Sequence, residues 1–214
     1  LTETNILKAA GFDCVPFEPY HIGLSEIDKD KSLAISRDFL KALSDGKEFT
    51  SIFISSVLNS VPFEKDRQHI ACICAALCRP FTKLYACASS TSETGYRQVN
   101  GKAFHNESNA GNIAFRLEYE SGVRIGDFQD KPKVQKYHTI KEFYELFSPF
   151  FRNVQISEMT GNVNAQCENV RRIPWERIEE ALRFEFDLPY PDGSRMGLVE
   201  EAITAFKRRY EIFG

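Results

Sequence analysis

The chemistry-bearing residues of this 214-residue chain cluster at the ends of short apolar runs. The run "SIFIS" ends in Ser55 and Ser56, and Asn59 follows within "SSVLNSVP". Glu18 follows "CVPF", while Asp38 and Phe39 follow "SLAIS". If those runs are strands of an open α/β sheet, all of these residues lie where such sheets bind ligands, outside the carboxyl ends of the strands. Each also has a plainer use. Glu18 suits a solvated turn, Asp38 suits a helix cap, Ser55 and Ser56 suit loop amides, and Asn59 suits the cap of the helix that follows. His21 and His138 are candidate bases by loop position alone.

The elements that would position these groups are legible in the pattern. Thr2 caps a short helix over 2–10 with Ile6, Leu7 and Ala10 on one face, and Gly11 suits its C′ position. "FDCVPF" and "SLAIS" are expected as strands, although 38–44 also suits a helix. "FTSIFIS" is the clearest buried strand. A helix over 64–78 follows, with Glu64 and Asp66 in its first turn and Ile70, Ile73, Cys74 and Leu77 as its apolar stripe, until Pro80 stops it. "TKLYACAS" is the next strand. Residues 91–112 read as a Ser/Thr/Asn/Gly-rich loop, and 113–125 as an inserted hairpin. Thr139 and Glu142 spell a capping box, and "NVQISEMTGNVNAQCEN" spells a closing antiparallel hairpin about a Thr160-Gly161-Asn162 turn. The tail is helical, with Trp175, Ile178 and Leu182 on one face and Met196, Val199, Ile203, Phe206, Tyr210 and Phe213 on another.

Bulk properties narrow the function classes. A net charge of −3 and a pI near 5.9 give no global basic field for nucleic acid or membrane. No apolar stretch approaches the roughly 20 residues of a membrane span, and the N-terminal residues do not form a signal peptide. Leu1 is not a natural initiator, so the chain is expected to start inside a longer protein. Six cysteines without a CxxC pair are expected as reduced, buried thiols of a cytoplasmic protein. Only Cys74 and Cys78 among the three clustered cysteines share a helix face and no further ligand pair completes four, so no metal site is expected.

The order of a helix, an acidic strand end, "RDF", "FTSIFISSVLNSVP", "DRQHIACICAALCRP", "TKLYACAS", a helix and an antiparallel hairpin resembles a class I S-adenosylmethionine-dependent methyltransferase over roughly residues 1–170. The resemblance implies a Rossmann-like three-layer α/β/α sandwich. Its sheet would be mostly parallel, with a C-terminal antiparallel hairpin, an inserted β-hairpin and a helical tail. It implies S-adenosylmethionine as cofactor. Glu18 would accept the ribose hydroxyls, Asp38 and Phe39 would read the adenine amine and cover its ring, and Ser55 and Ser56 would contact the cofactor where the substrate pocket begins. The glycine motif that the family places before its first helix would lie upstream of Leu1.

The resemblance leaves the methyl acceptor open. Asn59, Tyr96 and Arg97 are the expected substrate contacts. The D/N-P-P-Y signature of amino-methylating DNA enzymes is absent, since "NSVP" lacks its aromatic, and the Pro-Cys pair of cytosine C5 chemistry is absent too. Lys102, His105, Arg116, Arg124, Lys131, Lys133 and Lys136 interleave with aromatics in the inserted segment, which favours a nucleic acid over a small molecule as acceptor. Glu118, Glu120, Asp127 and Asp130 dilute that charge. The expected layout is a methyltransferase-like domain over 1–170, with an insertion at about 91–137, and a helical extension over 171–214. The competing reading is a catalytically inactive methyltransferase-like module that binds a protein or nucleic-acid partner.

Overall fold

A computed structural model describes residues 2–93, 104–105, 113–116, 120–126 and 133–213. The chain forms two compact units, one of residues 1–48 with 174–214 and one of residues 49–173.

The unit of residues 49–173 holds the sheet. Strand β1 (Ser51–Ser55) leads through a 3-10 turn (Leu58–Ser60) into helix α3 (Glu64–Leu77), and then into β2 (Lys83–Ser89), which runs parallel to β1. This βαβ crossover is the Rossmann-like unit expected from the order of elements, and the fold is α/β as expected. The hairpin of β7 (Phe151–Met159) and β8 (Asn162–Val170) closes the sheet antiparallel, giving the order β1-β2-β8-β7. Thr160 and Gly161 turn the hairpin with φ of 50° and 79°, the two positive values a tight right-twisting connection needs.

Alternation along the strands selects the core face. Leu84, Ala86 and Ala88 of β2 lie beside Cys167, Ala165 and Val163 of β8, and all six are buried. Helix α4 (Ile140–Phe147) packs on β7 and β8 and delivers Phe143 and Phe147, both 0% exposed. Its start is the expected capping box: Thr139 accepts from the Glu142 amide, and Glu142 accepts from the Thr139 amide. On the opposite face of the sheet Phe53 and Tyr85 stack with ring centroids 5.3 Å apart.

A second, smaller sheet follows β2 in the order β3 (Phe104–His105), β4 (Ile113–Arg116), β5 (Val123–Gly126), β6 (Lys133–Lys136), all antiparallel. It contains the expected inserted hairpin. Gly122 opens β5 with φ +80°, and a Cβ there would lie 2.2 Å from the Tyr137 carbonyl oxygen.

The other unit is helical: α1 (Thr2–Ala9), α2 (Lys29–Ser44), α5 (Trp175–Glu185) and α6 (Val199–Phe213). Gly11 ends α1 at φ +87°, where the Phe12 amide donates back to the Leu7 carbonyl. The two strands expected at 12–17 and 32–36 are corrected here. Residues 12–18 follow no ladder, and "SLAIS" lies inside α2. The helix wins because Asp28 caps it, accepting from the Lys31 amide at 2.9 Å, and because Ile35, Phe39, Leu40 and Leu43 share its buried side at helical spacing. With both segments out of the sheet, its described pairings are one parallel and two antiparallel. Among the described residues no helix is long and apolar enough to cross a membrane.

Candidate functional site

The carboxyl end of β1 is the open strand end of the sheet. Ser55 and Ser56 are both exposed there. Ser56 adopts φ +58°, a left-handed turn unusual for a side-chain-bearing residue, while its amide still donates to the Cys87 carbonyl at 2.9 Å. The chain thus leaves the ladder within one residue and presents two adjacent hydroxyls at the place where open α/β sheets take ligands.

Asn59 sits just behind them and is buried. It does not cap α3. The N-cap of that helix is Phe63, without a side-chain hydrogen bond. Instead Asn59 Oδ1 accepts from the Ser89 amide at 2.8 Å, and its Nδ2 donates to Ser89 Oγ at 3.2 Å. Gln135 Nε2 donates to the same Oγ at 3.1 Å. The carboxyl ends of β1 and β2 are therefore tied together by side chains, and Ser89 and Gln135 join a polar cluster that the sequence pattern did not single out.

That cluster continues into buried charge. Lys136 Nζ, fully buried, donates to the Ser121 carbonyl at 2.5 Å and to Glu142 Oε1 at 2.8 Å, and lies 3.3 Å from Glu120. Arg67, also buried, donates to the Val61 and Pro62 carbonyls at 2.7 and 2.9 Å and pairs with Glu120. Burial pushes the Glu142 carboxyl up, but its bonds from Lys136 and Thr139 outweigh that and hold it below the ordinary value. The capping-box Glu142 is the signal that could have found this pair, because a glutamate already fixed at a helix start is a ready partner for a cation on the preceding strand.

His138 belongs to this interior. It is 2% exposed, bonds the Leu58 backbone, and meets the Phe143 ring edge to face at 5.3 Å. Among the described residues its Nε2 has no hydrogen-bond partner. Burial, followed by the Lys136 and Arg67 cations, lowers its pKa to about 3. The ring is neutral at physiological pH, but it is a packed side chain rather than one held in a loop at solvent. Arg124 lies 4.8 Å from the Tyr137 ring, and Lys133 is exposed.

The remaining expected cofactor residues belong to the helical unit. Glu18 is half-buried with its carboxylate 3.5 Å from His21 Nδ1. Asp38 is exposed on the middle of α2, so it is neither at a strand end nor a helix cap. It lines an open depression of about 670 Å³ together with Arg37, Lys41, Glu200, Glu201 and Thr204. Phe39 is 4% exposed, its ring centroid 5.1 Å from Phe17 and 6.5 Å from Phe186. Its face is occupied by core aromatics. Tyr96 and Arg97, the expected substrate contacts, lie outside the described residues. Among the described residues no cluster of three or more His, Cys, Asp or Glu could hold a metal ion.

No protein-family profile and no curated protein sequence matches the chain. Solved structures similar to it include two methyltransferases. One is titled as a group of SAM-dependent methyltransferases from Methanosarcina mazei, at 14% identity over 66% of this chain and 79% of that one, with a TM-score of 0.39. The other is titled an S-adenosylmethionine-dependent methyltransferase from Clostridium acetobutylicum, at 7% identity over 65% of this chain and 71% of that one, with a TM-score of 0.41.

Proposed function

We propose that the chain is an S-adenosylmethionine-dependent methyltransferase whose cofactor side includes Ser55 and Ser56. The observation that carries the reading is the open carboxyl end of β1. Two exposed hydroxyls stand there on a left-handed turn, at the ligand position of a Rossmann-like βαβ unit. When bound, the cofactor supplies an activated methyl group on a sulfonium. The protein's task is then to position a nucleophile and exclude water. Ser55 and Ser56 fit polar cofactor atoms because their hydroxyls are exposed. Glu18 fits as an acceptor for hydroxyls because it is half-buried and carries a carboxylate. Phe39 does not fit the role of covering an adenine ring, because its faces are packed.

The acceptor favoured by the residues is a nucleic acid rather than a small molecule, on the basic and aromatic composition of the inserted segment, with Asn59, Tyr96 and Arg97 as contacts. A cytoplasmic location accords with six cysteines set in apolar stretches without a CxxC pair. Isothermal titration calorimetry of the full-length protein with S-adenosylmethionine tests the cofactor claim. Saturable binding is expected, and its absence from a folded sample sinks the reading.

A second reading has its own support. Asp38 stands on a helix rather than at a strand end, and Phe39 is packed inside the core. That favours a methyltransferase-like module without activity, engaging a protein or nucleic-acid partner. Binding of a nucleic acid without any binding of S-adenosylmethionine distinguishes it.

A further inference from the structure

Ser89 ends β2, which runs between β1 and β8, and its side chain is half-buried. Cys87 lies opposite Ser55 across the β1–β2 pair, so Ser89, two residues on, shares the side of the sheet that bears Ser55. Its polar groups are unusually committed. The carbonyl accepts from the His138 amide at 2.8 Å, and Oγ accepts from Asn59 Nδ2 at 3.2 Å and from Gln135 Nε2 at 3.1 Å. The Asn59 amide can stand only one way round, because its Oδ1 is held by the Ser89 N–H. A serine hydroxyl has two lone pairs and one hydrogen. With a donor on each lone pair, the hydrogen is left with the one remaining tetrahedral direction. Among the described residues nothing accepts it. Most serines can give or take a hydrogen bond, whereas Ser89 can only give one.

Gln135 brings the inserted sheet to this hydroxyl. Lys133, Gln135 and Tyr137 alternate along one face of β6 and the residue just past it. Arg124, opposite Gln135 on β5, lies 4.8 Å from the Tyr137 ring, and Lys133 is exposed. Two cations and an aromatic ring therefore share the face that delivers Gln135 to Ser89. Cations and an aromatic ring beside a fixed donor suit a nucleic acid. The cations attract phosphates, and the donor meets a lone pair on a base edge, which carries ring nitrogens and carbonyl oxygens.

We propose that Ser89 is a specificity-determining residue for the methyl acceptor: its hydroxyl, held as a donor by Asn59 and Gln135, gives its hydrogen to a ring nitrogen or carbonyl oxygen of a nucleobase. The proposal rests on the nucleic-acid acceptor favoured above, and not on how the cofactor is held. Gln135 is a positioning residue, acting on the base through Ser89.

Fluorescence anisotropy of the full-length protein with labelled single-stranded DNA made of adenine, cytosine or thymine alone tests it. The bases place their acceptors at different points of the edge, so a donor of fixed direction binds them unequally, by about fivefold or more between best and worst. Ser89→Ala should bring that ratio close to one, and Ser89→Thr, which keeps the hydroxyl, should preserve it. Gln135→Glu should level the ratio too, because a carboxylate accepts the Ser89 hydrogen. Repulsion from the added charge lowers all three affinities alike and leaves the ratio untouched. Circular dichroism checks that each variant is folded. A parent protein that binds the three oligonucleotides equally, or binds none, overturns the proposal. So does Ser89→Ala weakening all three by one factor, as a structural or phosphate-binding role would, or Gln135→Glu keeping the parent's ratio. Calorimetry with S-adenosylmethionine on the same parent sample separates the two readings. Oligonucleotide binding that fails while S-adenosylmethionine still binds sinks this proposal and leaves the cofactor standing.

Discussion

Asn59 holds Ser89 by both its backbone and its side chain, at 2.8 Å from the amide and 3.2 Å from the hydroxyl. One buried amide group thereby fixes the distance between the carboxyl ends of two parallel strands. Asn59→Ala leaves the Ser89 amide without that acceptor and is expected to cost about 1–3 kcal/mol of stability. Asn59→Asp keeps an acceptor for the Ser89 amide and, protonated at low pH, an O–H donor for the Ser89 hydroxyl, so it should cost less than alanine there. Urea unfolding of the three proteins at pH 4 measures the order.

His138 gives the stability a pH dependence with a defined sign. Its pKa is about 3 in the folded chain against an ordinary 6.5, so only the unfolded chain takes up this proton between those values. The contribution is complete above about pH 6.5 and is lost as the pH falls toward 3, at up to about 1.4 kcal/mol per pH unit. His138→Gln, which cannot titrate, should narrow the stability difference from the parent as pH falls through that window. A difference that stays constant from pH 7 to pH 4 would contradict the burial of a neutral ring.

The buried Lys136 is matched by Glu142 and Glu120. Lys136→Met removes the cation and leaves a carboxylate in the interior, which should cost about 3–5 kcal/mol. Glu142→Gln added to Lys136→Met should recover part of that loss, because it removes the stranded charge while keeping a side chain able to cap α4. A double variant as unstable as the sum of its singles would show that the pair is not coupled.

Gly122 is expected to tolerate no side chain. At φ +80° with the Tyr137 carbonyl 2.2 Å from a Cβ, alanine must displace the β5–β6 pairing that begins there. A loss of about 1–3 kcal/mol follows from the strain alone. Thermal unfolding of Gly122→Ala beside Gly193→Ala, where φ is also positive but a Cβ meets nothing within 4 Å, separates the clash from the backbone cost.

Glu18 carries the ribose assignment. Glu18→Ala should weaken S-adenosylmethionine binding by about tenfold, the loss of a charge-assisted hydrogen bond, without unfolding the helical unit. Calorimetry beside far-UV circular dichroism reads both quantities, and unchanged affinity removes Glu18 from the site.

Much of the frame was legible because it is written in short-range terms. A short apolar run bounded by polar residues marks β1, "TKLYACAS" marks β2, and two runs about a Thr160-Gly161-Asn162 turn mark the β7–β8 hairpin. Thr139 with Glu142 marked the start of α4, and Gly11 the end of α1, since each of these depends on a few neighbouring residues. "SLAIS" was misread for the same reason. Five apolar or small residues fit either period, and the choice fell to Asp28 upstream and Leu40 and Leu43 downstream, which extend a helical face beyond the window. The strand-end position of Asp38 and the ring-covering role of Phe39 went with that strand.

The polar strand end at Ser55 and Ser56 is legible in the sequence because the end of a buried strand is a local event. What Asn59 does is not, because Ser89 lies 30 residues away and the hydrogen bond exists only once β1 and β2 are parallel neighbours. The same holds for Lys136, grouped in sequence with the basic residues of the inserted segment until tertiary folding closes Glu120 and Glu142 around it. Sequence by itself determined the periodicities, the caps and the polar strand end, because backbone sterics and burial of alternate side chains act over a few residues. Only the tertiary structure decided which polar groups are paired in the interior, which aromatic faces are used up, and that the N-terminal helices share a unit with the C-terminal tail. Those outcomes depend on contacts between distant segments, whose free energy no local pattern encodes.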